Sequence, residues 1–275
     1  VRAVGKLGFE LAGILFTVVA FWIPFYFIIV NAGKDVPESS LLNLSLPSSF
    51  RFWENVKTVV EARDFMLIRA FFNSTVLTVV SIAILIVLCA MAGYVLQRRT
   101  DRATPVFNFL ILAGLIIPPA IVPTIWVMDG IGIFKTLFGL VLVEVALGFP
   151  FAVLLYKGFM SVIPREVDEA AVIDGCGGLR LFFGIILPLL QPVTATVIVL
   201  SAVTIFNDFT NPLYFLPGSD NVTVQLTLYN FQSQYVTQYN LLFTNILLIT
   251  LPPFVLFLIF NKRIVSGMTA GSVKG

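Results

Sequence analysis

Two acids stand where acids are costly. Glu144 falls in the middle of an apolar run, and Asp208 lies near the end of another with Asn207 and Asn211 beside it. A carboxyl group inside a membrane-like stretch is expensive to bury, so such residues mark ligand or ion sites by default. Glu144 also admits a plainer reading, near the outer end of its span, where water reaches it or another chain pairs with it. Asp208 reads either as a helix-end cap or as a hydrogen-bonding group for a substrate. Glu10 sits at an interface and needs no special role. Other reaction chemistry is thin. The chain contains no histidine, which removes the commonest general base and transition-metal ligand and any Ser-His-Asp set. It has no Gly-x-x-x-x-Gly-Lys-Ser/Thr loop, so it lacks that cradle for ATP phosphates. Cys89 lies in an apolar span and Cys176 in a polar loop. That placement argues against a mutual disulfide, and the pair fits no metal-ligand spacing.

The elements that position these residues follow from composition. Apolar residues make up 58% of the 275 and charged ones only 12%, where a soluble domain carries about a quarter charged. Net charge is close to neutral and gives no reason to expect nucleic acid. Apolar runs of the length needed to cross a hydrocarbon core suggest six spans, approximately 11–30, 71–96, 106–127, 136–156, 192–209 and 241–260. Backbone groups in lipid must be satisfied internally, so the spans are expected to be helices. Barrel strands would be shorter and would alternate polar with apolar residues. The expectation is an all-α polytopic membrane protein, a single domain. The first span is read as an uncleaved helix because its apolar core is too long for a signal peptide. Prolines punctuate the spans. Pro118, Pro119 and Pro123 break the third, Pro150 interrupts the fourth, and Pro252 and Pro253 interrupt the sixth. They read as ordinary kinks or as bends around a translocation path. Ala90, Ala92 and Gly93 suit close helix contact.

Orientation rests on Lys and Arg. The N-terminus, the loop with Arg98, Arg99 and Arg102, the loop with Lys157, Arg165 and Arg180, and the tail hold 11 of the 17 basic residues on one side. The remaining six are Lys34, Arg51, Lys57, Arg63, Arg69 and Lys135, most of them in a segment, 31–70, where acids match them. Segment 212–240 has neither Lys nor Arg. Both termini are therefore expected to be cytoplasmic.

The cytoplasmic loop 157–187 is the most informative. Residues 161–178 read as a short helix with clear punctuation. Ser161 can cap it, and Pro164 suits a first turn. Glu166, Asp168 and Glu169 lie early, where the helix dipole favours anions. Gly175, Gly177 and Gly178 end it. Val167, Ala170 and Ala171 share one small apolar face. That face either packs on the chain's own helix ends or enters a groove on a partner.

The same loop resembles the signature loop of ABC importer permeases, which is Glu-Ala-Ala, three residues, Gly, nine residues, Ile-x-Leu-Pro. Here these are Glu169-Ala170-Ala171, Gly175, Ile185, Leu187 and Pro188, and Asp174 before the glycine is typical of the carbohydrate branch. Cys176 departs from the commoner Ala but is also small. Asn73-Ser74, the run 206–209, Asn211-Pro212-Leu213 and the tail 268–275 extend the resemblance to the smaller permease of maltose-type sugar importers. The resemblance implies a type I importer permease fold in the bacterial inner membrane. It further implies a coupling helix, with Val167, Glu169, Ala170, Ala171, Asp174 and Gly175, seated in a cytoplasmic ATPase. The tail 261–275, with Thr269, Gly271 and Val273, would reach between two ATPase copies that hold ATP and magnesium. The chain itself would hold no cofactor. A second homologous permease and an extracytoplasmic sugar-binding protein are the other expected partners. Segment 212–240 would face that binding protein and probe its sugar site. Its Tyr, Phe, Gln and Asn residues suit sugar contact but equally an interfacial belt. The belt is the reading for Phe215 and Tyr239, and a partner surface the reading for Tyr229, Gln232 and Tyr235. Asn207, Asp208 and Asn211 are candidate contacts to substrate or binding protein. The contrasting reading is a self-powered secondary transporter, which would usually show an internal repeat and more ionisable groups at mid-membrane.

Overall fold

The computed structural model describes residue 10, residues 13–232 and residues 237–270, with backbone alone for 256, 257 and 260–270. Tyr235, Gly271 and Val273 lie outside the described residues, and Thr269 is described by its backbone only. Three helices are long and apolar enough to span a membrane. They are α1 (Gly13–Ala32), α2 (Phe52–Arg98) and, later in the chain, α5 (Leu137–Met160). Two bent pairs pass the same test, α3 (Thr104–Ile116) with α4 (Ile121–Gly130), and α7 (Gly178–Leu189) with α8 (Gln191–Phe206). The short helices α6 (Glu166–Ile173) and α9 (Thr210–Phe215) lie between spans, and α10 (Tyr239–Ala270) closes the described chain. Among the described residues no strand forms beyond an isolated bridge between Gln232 and Thr237.

The prolines act differently from site to site. Ile117, ahead of Pro118, is driven to extended backbone (φ −75°, ψ 123°), as sterics before proline require, and α3 and α4 diverge by 113°. α7 and α8 diverge by 75° at Leu190, between Pro188 and Pro192. Pro150, expected to interrupt its span, does not, because α5 runs through it. Pro252 and Pro253 lie inside α10 in the same way. In lipid, neighbouring groups re-satisfy the freed backbone. α2 breaks without proline. Ala62 is extended and Arg63, Asp64 and Phe65 are left-handed, with φ of 49°, 54° and 58°. The segment 31–70, read as a loop, thus carries a helical arm.

The chain divides into two compact units, residues 1–71 with 224–251, and residues 72–223 with 252–275. The first is stitched by neutral amides. Lys34 is wholly buried, and its Nζ donates to Asn43 Oδ1 at 2.8 Å, to the Asn43 carbonyl at 3.0 Å and to Asn31 Oδ1 at 3.2 Å. The expectation that acids match the bases of this segment holds for Arg51 with Glu54 and Lys57 with Glu61 but not for Lys34, which donates to neutral oxygens. Asn55 Nδ2 donates to the carbonyls of Ala32 and Lys34, and Asn240 Nδ2 donates to Asn55 Oδ1. Phe27 meets Phe243 edge-on at 5.3 Å.

The second unit packs α5 against α2, α3 and α8 through small residues. A Cβ on Gly93 would lie 2.7 Å from Tyr156 Cβ and 2.9 Å from the Lys157 nitrogen, so only glycine lets these backbones meet. Ala90 and Cys89 beside it are fully buried. Lipid tails supply no hydrophobic drive between helices, so close packing and interhelical hydrogen bonds hold the unit. Tyr156 Oη donates to Thr194 Oγ1 at 3.0 Å, and Lys157 Nζ donates to Asn108 Oδ1 at 2.6 Å. The two cysteines are free.

Candidate functional site

Thr136 caps α5, its Oγ1 accepting from the Gly139 amide at 3.0 Å, so the helix begins at Leu137 and runs on to Met160. That places Glu144 in its first third, roughly 10 Å from the start at 1.5 Å per residue, rather than at the middle of the span. Glu144 is only 4% exposed. Its partner is in its own chain: Asn211 Nδ2 donates to Glu144 Oε1 at 3.1 Å. Asp208 stands beside the same carboxyl group. One oxygen of Asp208 accepts from the amides of Thr210 at 2.8 Å and Asn211 at 3.3 Å. The capping reading of Asp208 holds, and the cap it makes on α9 also fixes its carboxyl group and presents Asn211 to Glu144.

These groups face a cavity of about 450 Å³, within the range of roughly 300–1,000 Å³ usual for small-molecule sites. Glu144, Ser201, Thr204, Asp208, Thr210 and Asn211 line its polar part, and Leu85, Leu147, Phe151 and Leu200 most of the remainder. Among the described residues that line it, none is Lys or Arg. Asn207 is not part of it, since its Nδ2 donates to the Val203 carbonyl one turn back. Tyr229, which is 48% exposed, and Gln232 belong to the other unit. The sequence separation of Glu144 and Asn211 concealed their contact. Only the chain turn made by Asp208 brings them together.

A second site lies on α6. Glu166, Asp168 and Glu169 occupy its first turn as expected. Ser161 does not cap it. Its Oγ donates to the Gly158 carbonyl at 2.7 Å and so closes α5, leaving Arg165 at the N-cap position, where its side chain makes no capping bond and donates instead to the Arg98 carbonyl at 3.4 Å. Gly175 ends α6 at φ +79°. The Cys176 amide donates to the Ala171 carbonyl at 2.9 Å and the Gly175 amide to the Val172 carbonyl at 3.0 Å, the paired bonds of a Schellman turn. Arg98, at the end of α2, anchors the helix. Its Nε lies 2.5 Å from Asp168 Oδ2, and its Nη2 donates to the carbonyls of Ile163 at 3.0 Å and Pro164 at 3.2 Å.

The apolar face of α6 is not disposed as the spacing suggested. Ala171 is buried and Val167 half-buried in the chain's own core, while Ala170 is exposed. The apolar groups turned outward are Ile173 at 85% exposure, Val172 and Leu179, which the sequence reading passed over. Glu169 and Asp174 are exposed beside them.

Residues 86–270, which contain this helix and all of the cavity lining but Leu85, match the family described as the inner membrane component of binding-protein-dependent transport systems. The chain belongs to that family. It is 35% identical over 255 residues, 92% of either chain, to the "Probable starch degradation products transport system permease protein" of Thermoanaerobacterium thermosulfurigenes. It is 31% identical over 264 residues to the melibiose/raffinose/stachyose import permease of Bacillus subtilis, covering 93% of this chain and 92% of that one. A solved bacterial ABC transporter involved in import of the acidic polysaccharide alginate aligns with a TM-score of 0.79 at 19% identity, over 95% of this chain and 96% of that chain. The likeness shows the type I permease fold. As a binding-protein-dependent permease, the chain is a transport subunit of the inner membrane and not the enzyme of its system.

Proposed function

We propose that the chain is one of two permease subunits of a sugar importer driven by ATP bound to separate subunits. The observation that carries this reading is α6, a firmly anchored helix that turns exposed Ile173 and Val172 away from its own core, within a chain of the permease family. An apolar surface of this kind at a loop suits insertion into a partner's groove. In this reading Glu169, Ala170, Asp174, Val172 and Ile173 touch the ATPase, Val167 and Ala171 fasten the helix to the spans, and Gly175 fixes its end. Sugar as the cargo is supported by relatives named for starch products and for melibiose, raffinose and stachyose.

The topology that fits is six spans with both termini cytoplasmic, α1, α2, α3 with α4, α5, α8, and α10 counting one each. Segments 31–70 and 212–240 are then extracytoplasmic, and 157–187 and 261–275 cytoplasmic. A second permease, two ATPase copies carrying ATP and magnesium, and an extracytoplasmic sugar-binding protein complete the assembly. Asn207, Asp208, Asn211, Tyr229, Gln232 and Tyr235 are candidate contacts to sugar or binding protein, and Thr269, Gly271 and Val273 contacts of the tail to the ATPase. ATP binding draws the ATPase pair together, the coupling helices follow, and the spans alternate between inward and outward openings. The energy difference between those states comes from a ligand that distinguishes them, as it must. The test is purification of the tagged chain in mild detergent, mass spectrometry of what accompanies it, and uptake of labelled maltotriose or raffinose into proteoliposomes. ATP-dependent uptake requiring a co-purified ATPase is expected. A chain that purifies alone and moves solute without ATP overturns the reading.

A further inference from the structure

We propose that the cavity bounded by Glu144, Asp208 and Asn211 is a subsite for a neutral sugar, and that its carboxyl groups exclude acidic sugars from this subunit's part of the pathway. The proposal rests on the sugar-permease reading and adds to it where the sugar binds and which charge it carries.

The geometry is that of a polyol site. Glu144 is 96% buried by its 4% exposure, and a carboxyl group held that deep accepts bonds readily from hydroxyl donors. The Asn211 amide fixes one of its oxygens at 3.1 Å, so the acid is aimed rather than free to swing. Ser201 and Thr204 add hydroxyls, and the half-exposed ring of Phe151 offers a face on which sugar C–H groups can rest. A burial cost this high, in a helix that crosses lipid, is sustained where the group has a ligand to meet. The structural reading, a carboxyl group kept only to hold α9 in place, accounts for the Asn211 bond. It does not account for the open volume of about 450 Å³ that Glu144 and Asp208 share.

The charge argument is separate. The described lining has two carboxyl groups and no basic side chain. Two touching carboxyl groups with no base beside them share a proton and keep one negative charge between them, and a uronate placed there would meet that charge with no counter-ion, the kind of repulsive element that specificity uses. A solved transporter of this fold is involved in import of an acidic polysaccharide; by this inference the present chain takes a neutral cargo instead.

The experiment uses the assembled transporter in lipid nanodiscs, with Thr204→Cys in a Cys89→Ser, Cys176→Ser background. Thiol labelling of this chain is followed by mass spectrometry. Maltotriose, raffinose and trigalacturonate are added directly, without binding protein, and uptake of the same probes into proteoliposomes is measured in parallel with it. A neutral probe that the complex carries should slow labelling about tenfold at ten times its Kd, by mass action. Trigalacturonate should not slow it. In Glu144→Gln/Asp208→Asn, which keeps shape and the Asn211 contact, trigalacturonate should gain about a hundredfold in affinity, the size of a relieved like-charge contact. Unchanged labelling with a neutral sugar that is nevertheless transported overturns the subsite and leaves the permease reading standing. Equal protection by neutral and acidic probes overturns the charge selection. An assembled complex that carries no sugar overturns the permease reading and this inference with it.

Discussion

Asp168 and Glu144 are both shielded acids that tie together parts of one unit far apart in sequence, yet their surroundings are opposites. Asp168 meets Arg98, whose Nη2 also donates to the carbonyls of Ile163 and Pro164. Charge is balanced and the junction is closed. Glu144 meets an amide and a second acid, with no base among the described residues of its cavity. One arrangement holds a helix still. The other borders a cavity with no base to answer its charge. The difference teaches that burial of an acid is not in itself a functional signal; what matters is whether its electrostatic account is closed by the protein.

The largest effect is expected from opening the closed junction. Arg98→Ala leaves Asp168 shielded without its cation and frees two carbonyls. Breaking a fully buried pair costs about 3–5 kcal/mol. With side chains 14% and 16% exposed, water softens this to the lower end, about 3 kcal/mol. The helix α6 should loosen and coupled uptake should be lost while the chain still inserts. Limited proteolysis of the 157–187 loop in membranes reads this out directly. Arg98→Ala/Asp168→Ala should resist cleavage better than Arg98→Ala alone, because no orphan charge remains. Equal sensitivity of the two variants would mean that the pair carries no coupling energy.

At the open junction the effect should be smaller and depend on shape. Glu144→Ala strands the Asn211 amide and enlarges the cavity, a loss of about 1–3 kcal/mol. Glu144→Gln retains an acceptor for the Asn211 amide and should cost less thermal stability in detergent than Glu144→Ala while reducing sugar uptake. If Glu144→Gln melts as early as Glu144→Ala, the acid is a structural strut and the contrast with Asp168 dissolves.

Much of this was legible beforehand, for identifiable reasons. Charge-free runs announce spans because lipid permits little else, and Pro118-Pro119 announced the bend because pre-proline sterics act locally. Gly93 was readable as a contact residue from its small neighbours. The facing of α6 was not. Spacing places Val167, Ala170 and Ala171 together on a cylinder, but which way the cylinder is rolled depends on Arg98, 70 positions upstream of Asp168, gripping the first turn. Nor does local pattern reveal that Ser161 serves the helix before it, since a hydroxyl between two helices can serve either. The meeting of Glu144 with Asn211 is wholly tertiary. The burial of Lys34 among neutral oxygens also escaped, since a lysine in a charged segment reads as solvated.

The end of α6 supplies a finer test of the closed junction. Gly175 stands at φ +79°, where an L-residue pays roughly 1–2 kcal/mol. Gly175→Ala should therefore weaken coupling mildly. Gly175→Pro also removes the amide bonded to the Val172 carbonyl and imposes a negative φ. It should uncouple ATP hydrolysis from transport without preventing insertion, seen as a raised ratio of phosphate released to sugar carried. Normal uptake by Gly175→Pro would show that the turn is dispensable.

The smallest effect on the fold, and the sharpest on function, belongs to Ile173. At 85% exposure its side chain contributes almost nothing to the chain's own packing, so Ile173→Ser should change stability by less than about 0.5 kcal/mol. If Ile173 enters a groove of the ATPase, the same change removes a central apolar anchor of the kind that costs about 2 kcal/mol or more at an interface. Recovery of the ATPase in pull-downs should then fall, with the chain itself present in the membrane at its usual level. Val167→Ser should behave in the reverse manner, lowering the amount of folded chain before it alters recruitment, because Val167 faces inward. The two substitutions remove similar apolar groups from one short helix six residues apart. If both lowered chain level and recruitment in the same proportion, α6 would have no outward face of its own, and coupling would have to run through some other surface.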